Sequence, residues 1–215
     1  LSSILEPTVA IMLALGFSSG LPFMLVGNTL SYWLRESGLE LTLIGFLSWV
    51  GLAYSLKFLW SPLTDKMDVP LLGKLGRRRG WMLFTQALIM LGLIGMSLLN
   101  PGEQLTVFIA FAGIAAVASA TQDIVIDAWR IEASDSKEGM ALLTSAYQLG
   151  YRIALLITDA LILIAAENRG WSLSYNIMGI AMAVGIGAHF FAHEPKRHSV
   201  PHEVRSEERR VGHEC

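Results

Sequence analysis

The sequence predicts an all-α, polytopic membrane protein built as a bundle of six spanning helices. Three observations predict it. Of 215 residues, 53% are hydrophobic and 16% are charged, against about 25% charged in a soluble domain, and the mean hydropathy is +0.50. The apolar residues gather into runs close to the roughly 20 needed to cross a hydrocarbon core. Short polar or Gly/Pro-marked breaks separate those runs, which is too little polar sequence for helices buried in a soluble protein.

The first span is expected at 9–34. Its stretch "GFSSGLPFMLVGNTL" holds Gly16, Gly20, Pro22 and Gly27, residues that membrane helices tolerate because neighbours satisfy the backbone. They permit close packing and bending, so this span reads either as a cavity-lining helix or as ordinary small-residue packing. Gly20 and Asn28 on it are candidates for a substrate path. "RESGLE" ends the span. The second span, 41–64, carries Lys57 and ends at Asp65, before the loop "DKMDVPLLGKLGRRRG". The third span, 81–99, is closed by "NPGEQ". The fourth, 105–130, ends in "TQDIVIDAWR" and is followed by "IEASDSKE". The fifth, 139–166, precedes "ENRGW", and the sixth is 172–192. Residues 193–215 form a polar tail whose end, "RSEERRVGHEC", resembles a translated sequencing adapter and is expected to be artefactual. The chain starts with Leu and has no basic segment ahead of a short apolar core, so it does not open like a signal peptide; it reads as a fragment of a longer reading frame.

Lys and Arg near span ends set orientation. Twelve of the sixteen fall on one side, in the 2–3 loop, the 4–5 connection and the tail, while only Arg35 and Arg169 fall on the other. Both termini are therefore expected in the cytoplasm. The lone cysteine, Cys215, and scattered histidines exclude a disulfide framework, and no metal, cofactor or nucleic-acid partner is expected.

Ionisable residues inside the bilayer cost roughly 2.5–3.5 kcal/mol on insertion scales and face a protein interior or a wet cavity. Lys57, Asp123, Asp127, Arg152 and Asp159 lie within the expected spans, and Arg130 lies at a span end. Asp123, Asp127 and Arg130 stand at i, i+4 and i+7, on one helical face. Arg152 has Gln148 four residues before it and Asp159 seven after, which makes a second polar stripe. Lys57 sits at a depth like that of Asp123, so the two could pair across helices. A carboxyl in such a place can hold a proton while isolated and lose it when wetted or paired. Asp123 and Asp127 are thus candidates for proton coupling and gating, with Lys57 and Arg130 as their pairing cations and Asp65, at the end of span 2, as a further candidate for the same role. Gln122, Gln148, Tyr151 and Arg152 are candidates for a substrate pathway. Static glue between helices and interfacial snorkelling remain the alternatives, as does a purely topological role for "GRRRG".

The loop after span 2 resembles that of the major facilitator superfamily, whose pattern runs roughly G-x-x-x-D-[RK]-x-G-[RK]-[RK]. "SPLTDK" supplies Asp65 and Lys66, and "GRRRG" supplies Gly76 to Arg79; Ser61 stands where the pattern has Gly, and extra residues separate the two parts. The ordered set "LGFSSGLPFMLVGNTLSYWL", "IGFLSWVGLAYSLKFLWSPLTD", "GRRRGWML", "ASATQDIVIDAWR" and "LGYRIALL" resembles the AmpG-type muropeptide permeases of that superfamily. The resemblance implies proton-driven import of anhydromuramyl peptides across the bacterial inner membrane for cell-wall recycling. It also implies two six-helix halves with the substrate between them near the midplane, of which this chain supplies the first; the second half is then its partner within the bilayer. The readings left beside it are another importer of an anionic solute in the same superfamily and a membrane scaffold without transport. No enzyme is expected. An intramembrane aspartyl protease needs two carboxyls sharing a proton, whereas Asp123 and Asp127 share one face of one helix and no G-x-G-D signature is present.

Overall fold

The computed structural model describes residues 2–67, 69, 72, 75–134 and 136–191, so the polar tail lies outside the described residues. Among those described, every regular element is helical. Helix α1 (Ser2–Val26) breaks at Gly27 and resumes as α2 (Asn28–Glu36). The expected stop in "RESGLE" is a glycine cap. Gly38, at φ 82°, donates to the Arg35 carbonyl at 3.1 Å, and Leu39 donates to the Leu34 carbonyl at 3.2 Å. These two bonds satisfy carbonyls that the helix end would otherwise leave open.

Helix α6 (Arg77–Ser97) starts four residues before the expected span, just after Gly76 at φ 100°. Helix α7 (Leu105–Ala133) has 29 residues and is about 43 Å long at 1.5 Å per residue, longer than the ~30 Å hydrocarbon core. Its charged last turns can therefore emerge while its middle stays buried. Helix α8 (Lys137–Leu156) is capped by Ser136, whose hydroxyl accepts from the Gly139 amide at 3.0 Å; the cap satisfies one of the free donors of the first turn. A π-helical turn (Ile157–Leu161) joins α8 to α9 (Ile162–Arg169), and α10 (Trp171–Ala181) and α11 (Ala183–Phe191) are the last of the described elements.

Among the described residues, five helical stretches are long and apolar enough to cross a membrane: Pro7–Glu36, Arg77–Ser97, Leu105–Ala133, Lys137–Arg169 and Trp171–Ala188. The stretch expected as the second of the six spans, 41–64, departs from a single helix. It runs as α3 (Leu41–Leu47), a 3₁₀ turn (Ser48–Gly51), α4 (Leu52–Leu56), a second 3₁₀ turn (Lys57–Leu59) and α5 (Ser61–Lys66). Helices of this length draw their stability from tertiary packing, and here little is available. Gly45 and Gly51 face open space, and Trp49, Phe58 and Leu59 are exposed.

The core forms along two main seams, α1 against α8 and α6 against α7, with α10 laid on α6. Small residues make the first seam close. A Cβ on Gly16 would strike the Tyr147 backbone, one on Gly20 would lie 2.7 Å from the Tyr151 carbonyl oxygen, and one on Gly150 would strike the Leu13 carbonyl. In lipid, where apolar burial gives no net drive between helices, such close van der Waals packing is a main source of association. At the Glu36 end, Leu21, Leu25, Trp33, Leu93, Phe108 and Tyr175 form one buried cluster; toward the other end, Met12, Leu15, Met82, Ile126 and Trp129 form another.

Candidate functional site

The buried polar groups of the bundle start from two adjacent serines. Consecutive helical residues point roughly 100° apart, so Ser18 of α1 faces α6 while Ser19 faces α7. Both are buried, as are Gln86 and Gln122. Gln86 Nε2 donates to Ser18 Oγ, and Gln122 Nε2 donates to Ser19 Oγ at 3.4 Å. The side-chain carbonyl of each glutamine is buried without a hydrogen-bond partner. A buried acceptor left unmade costs about 1–3 kcal/mol, so these two carbonyls are where water or a ligand donor would be most favourably taken up.

Asp123 lies next to Gln122. The Tyr147 hydroxyl donates to Asp123 Oδ1 at 3.4 Å, Ser19 stands beside the same carboxyl, and Lys57 acts on it across a longer gap. Among the described residues no ion pair joins Lys57 to Asp123, so the expected pairing is not made. Asp127 and Arg130 are joined instead, Arg130 Nη2 to Asp127 Oδ1 at 2.7 Å, and the guanidinium sits 5.4 Å above the Tyr147 ring. Tyr147 thus touches both the acid of the interior and the base of the helix end. Aromatic rings wall this patch: Phe23 packs edge-on to Tyr54 at 5.2 Å, and Tyr151 lies 6.1 Å from both Phe23 and Tyr147.

The remaining sequence candidates fall in different surroundings. Gln148 and Arg152 are exposed on α8, Tyr151 is half-buried, and Asn28 is exposed where α2 begins. Among the described residues the Arg152 side chain has no hydrogen-bond or ion-pair partner. Gly20 is buried in the α1–α8 seam.

Asp65 belongs to a separate ion-pair cluster that the sequence did not reveal. Arg78, buried with 6% of its side chain exposed, reaches Asp65 Oδ1 through Nη1 at 2.7 Å and Glu132 through Nη2 at 2.6 Å; its Nε lies 3.1 and 3.2 Å from the two Glu132 oxygens. Arg77 donates to the Asp65 main-chain carbonyl. One guanidinium therefore ties α5, α6 and α7 together, and its fork geometry suits two carboxylates as an ammonium would not. Removing one partner of a buried pair costs about 3–5 kcal/mol; here the lower end applies, because Asp65 is 55% exposed. Arg78→Gln is expected to lower the thermal midpoint of the detergent-purified protein by several degrees, and Arg78→Lys to recover only part of that loss. An unchanged midpoint in Arg78→Gln means that the cluster does not hold these helices.

Comparisons with known proteins agree with this architecture. The chain is 42% identical over 192 residues to the anhydromuropeptide permease of Escherichia coli (strain K12), an overlap of 88% of this chain and 38% of that protein. It is 39% identical over 172 residues to putative transporter AmpG 4 of Rickettsia felis, covering 79% of this chain and 41% of the relative. An uncharacterized protein of Haemophilus influenzae is 40% identical over 182 residues, covering 84% and 42% respectively. The chain thus spans about two fifths of the length of the curated relatives it matches. The family profile described as Major Facilitator Superfamily matches residues 12–213. With five long apolar helices and that match across nearly its whole length, the chain is a multi-pass membrane protein that belongs to the Major Facilitator Superfamily.

Proposed function

We propose that this chain is the first six-span half of a proton-coupled importer that carries anhydromuramyl peptides across the bacterial inner membrane for cell-wall recycling. The cargo comes from the name of the Escherichia coli relative. The observation that carries the reading is the patch on α1, α7 and α8, where Asp123 adjoins the unsatisfied Gln122 carbonyl behind a wall of aromatic rings. Carboxyl, carboxamide and ring faces suit a cargo that combines a sugar, amides and carboxylates.

In this reading Asp123 takes and releases the proton. When Lys57 or Arg130 approaches, the carboxylate is the stable form; when the cation withdraws and the site is dry, the neutral acid is. Asp127 and Arg130 exchange partners at the end of α7, and Asp65 does so at the end of α5. Arg152, with Gln148 four residues away on the same exposed face of α8, presents a fixed positive charge to the carboxylates of the cargo. Tyr151, Gln122, Gly20 and Asn28 belong to the same path, which the second half closes near the midplane. The basic ends of the helices face the cytoplasm.

The test is uptake of labelled anhydromuramyl peptide by the full-length transporter in vesicles with an imposed proton gradient. Uptake is expected to follow the gradient, and Arg152→Ala is expected to abolish it while the protein still inserts. Uptake indifferent to the gradient, or unaffected by Arg152→Ala, defeats the assignment. In intact cells, an impermeant thiol reagent is expected to label a cysteine placed at 168 and not one placed at 75; the opposite pattern reverses the orientation.

A further inference from the structure

The end of the bundle opposite Arg78 holds a cavity, of about 610 Å³, that the transport reading above does not use. Tyr32, Arg35 and Glu36 of α2 line it, with Leu163 and Glu167 of α9 and Trp171 of α10. Its floor is fixed. Trp171 Nε1 donates to Glu36 Oε2 at 2.7 Å, and the indole stacks on Trp33 with centroids 6.2 Å apart and planes 9° from parallel. Trp33 is in turn held edge-on to Phe108 at 4.9 Å. The walls are different in kind. Arg35 and Glu167 line the same cavity with opposite charges, yet among the described residues neither side chain has a hydrogen bond or an ion pair. Tyr32 stands 54% exposed at the rim.

A cation and an anion that share a cavity without meeting leave room for a ligand that carries both charges. The guanidinium of Arg35 can grip a carboxylate with two parallel hydrogen bonds. Glu167 can take an ammonium, and the faces of Tyr32 and Trp171, which line the same cavity, add cation–π attraction for that same group. The volume falls within the 300–1,000 Å³ range of small-molecule sites. We propose that this cavity is an outer docking site for the zwitterionic end of a peptide cargo, engaged before the cargo reaches Gln122 and Asp123. The proposal rests on the transporter reading for its cargo and adds a binding site for one part of it.

The experiment compares two probes on the full-length transporter: an anhydromuramyl tripeptide ending in lysine with its side-chain amine free, and the same peptide with that amine acetylated. Both binding, by calorimetry on purified protein, and uptake are measured. Glu167→Gln is expected to weaken binding of the free-amine peptide and raise its KM about tenfold, the usual scale for one hydrogen bond to a charged group. It is expected to leave the acetylated peptide unchanged. Arg35→Gln is expected to raise KM for both peptides with kcat retained. Equal effects of Glu167→Gln on the two peptides, or none on either, overturn the docking site and leave these side chains as interfacial anchors. If neither peptide is taken up by the unaltered protein, the transporter reading fails by itself; the docking site then stands or falls on whether Glu167→Gln selectively weakens calorimetric binding of the free-amine form.

Discussion

Gly150→Leu is expected to prevent the bundle from folding. Even the first atom of a side chain at position 150 would strike the Leu13 carbonyl and lie 2.9 Å from the Phe17 amide nitrogen. Those neighbours are backbone, so no rotamer change relieves the clash; α1 and α8 must move apart. Separation also opens the contacts at Gly16 and Gly20, which lie on the same seam. Overpacking a core ordinarily costs about 1–3 kcal/mol, and a clash between two helix backbones exceeds that range. The measurement is the yield of monodisperse protein in detergent, which should fall to near zero. Gly113→Ala is the matched control. A Cβ there meets nothing within 4 Å, and replacing glycine by alanine at a compatible helical position stabilises by about 0.4–1 kcal/mol. Equal yields for Gly150→Leu and the control would mean that the α1–α8 seam is not tight.

That pair of glycines marks the limit of what the sequence displays. Gly16, Gly20 and Pro22 announced a helix suited to close packing, but nothing in the run says that Gly150, more than a hundred residues later, is the surface it meets. Hydropathy responds to breaks because a break is a local event: Gly38 ends α2, Gly76 precedes α6 and Gly170 adopts φ 84° before α10. It read 41–64 as one helix because composition counts apolar residues without asking what they pack against, and that stretch finds few neighbours among the described helices. In the candidate site, the helix period correctly grouped Asp127 with Arg130, which are only three residues apart. Tyr147, Ser19 and Gln86 went unnoticed, because single hydroxyls and amides hardly change the hydropathy of an apolar run. Arg78 was hidden in "GRRRG" among neighbours of the same charge. The one available signal for its partner was Glu132, an acid two residues beyond Arg130 on the side where the basic loop was expected.

In the full-length transporter, Asp123→Asn is expected to abolish proton-driven uptake while insertion and substrate exchange across the membrane persist. Asparagine keeps the shape of the side chain and removes the ability to carry a proton. Distances decide between a coupling role and a static one. The Arg78 cluster is closed by contacts of 2.6–2.7 Å to two carboxylates, the lengths of strong charge-assisted bonds. Asp123 has a 3.4 Å approach from the Tyr147 hydroxyl, beyond the 2.5–3.0 Å of a good O–H···O bond, and the neutral Ser19 hydroxyl beside it, while among the described residues no ion pair joins it to Lys57. An acid held so loosely contributes little to the fold, so its asparagine variant should fold, unlike Gly150→Leu. Loose contacts are also what a group needs if its partner is to change between two states, because a ligand shifts only an equilibrium between states that it binds unequally. Failure of Asp123→Asn to fold would make the site a static tie between α7 and α8. Uptake that stays proton-driven in the folded variant would remove Asp123 from the coupling and pass the role to Asp127, whose 2.7 Å pair with Arg130 would then have to open in each cycle.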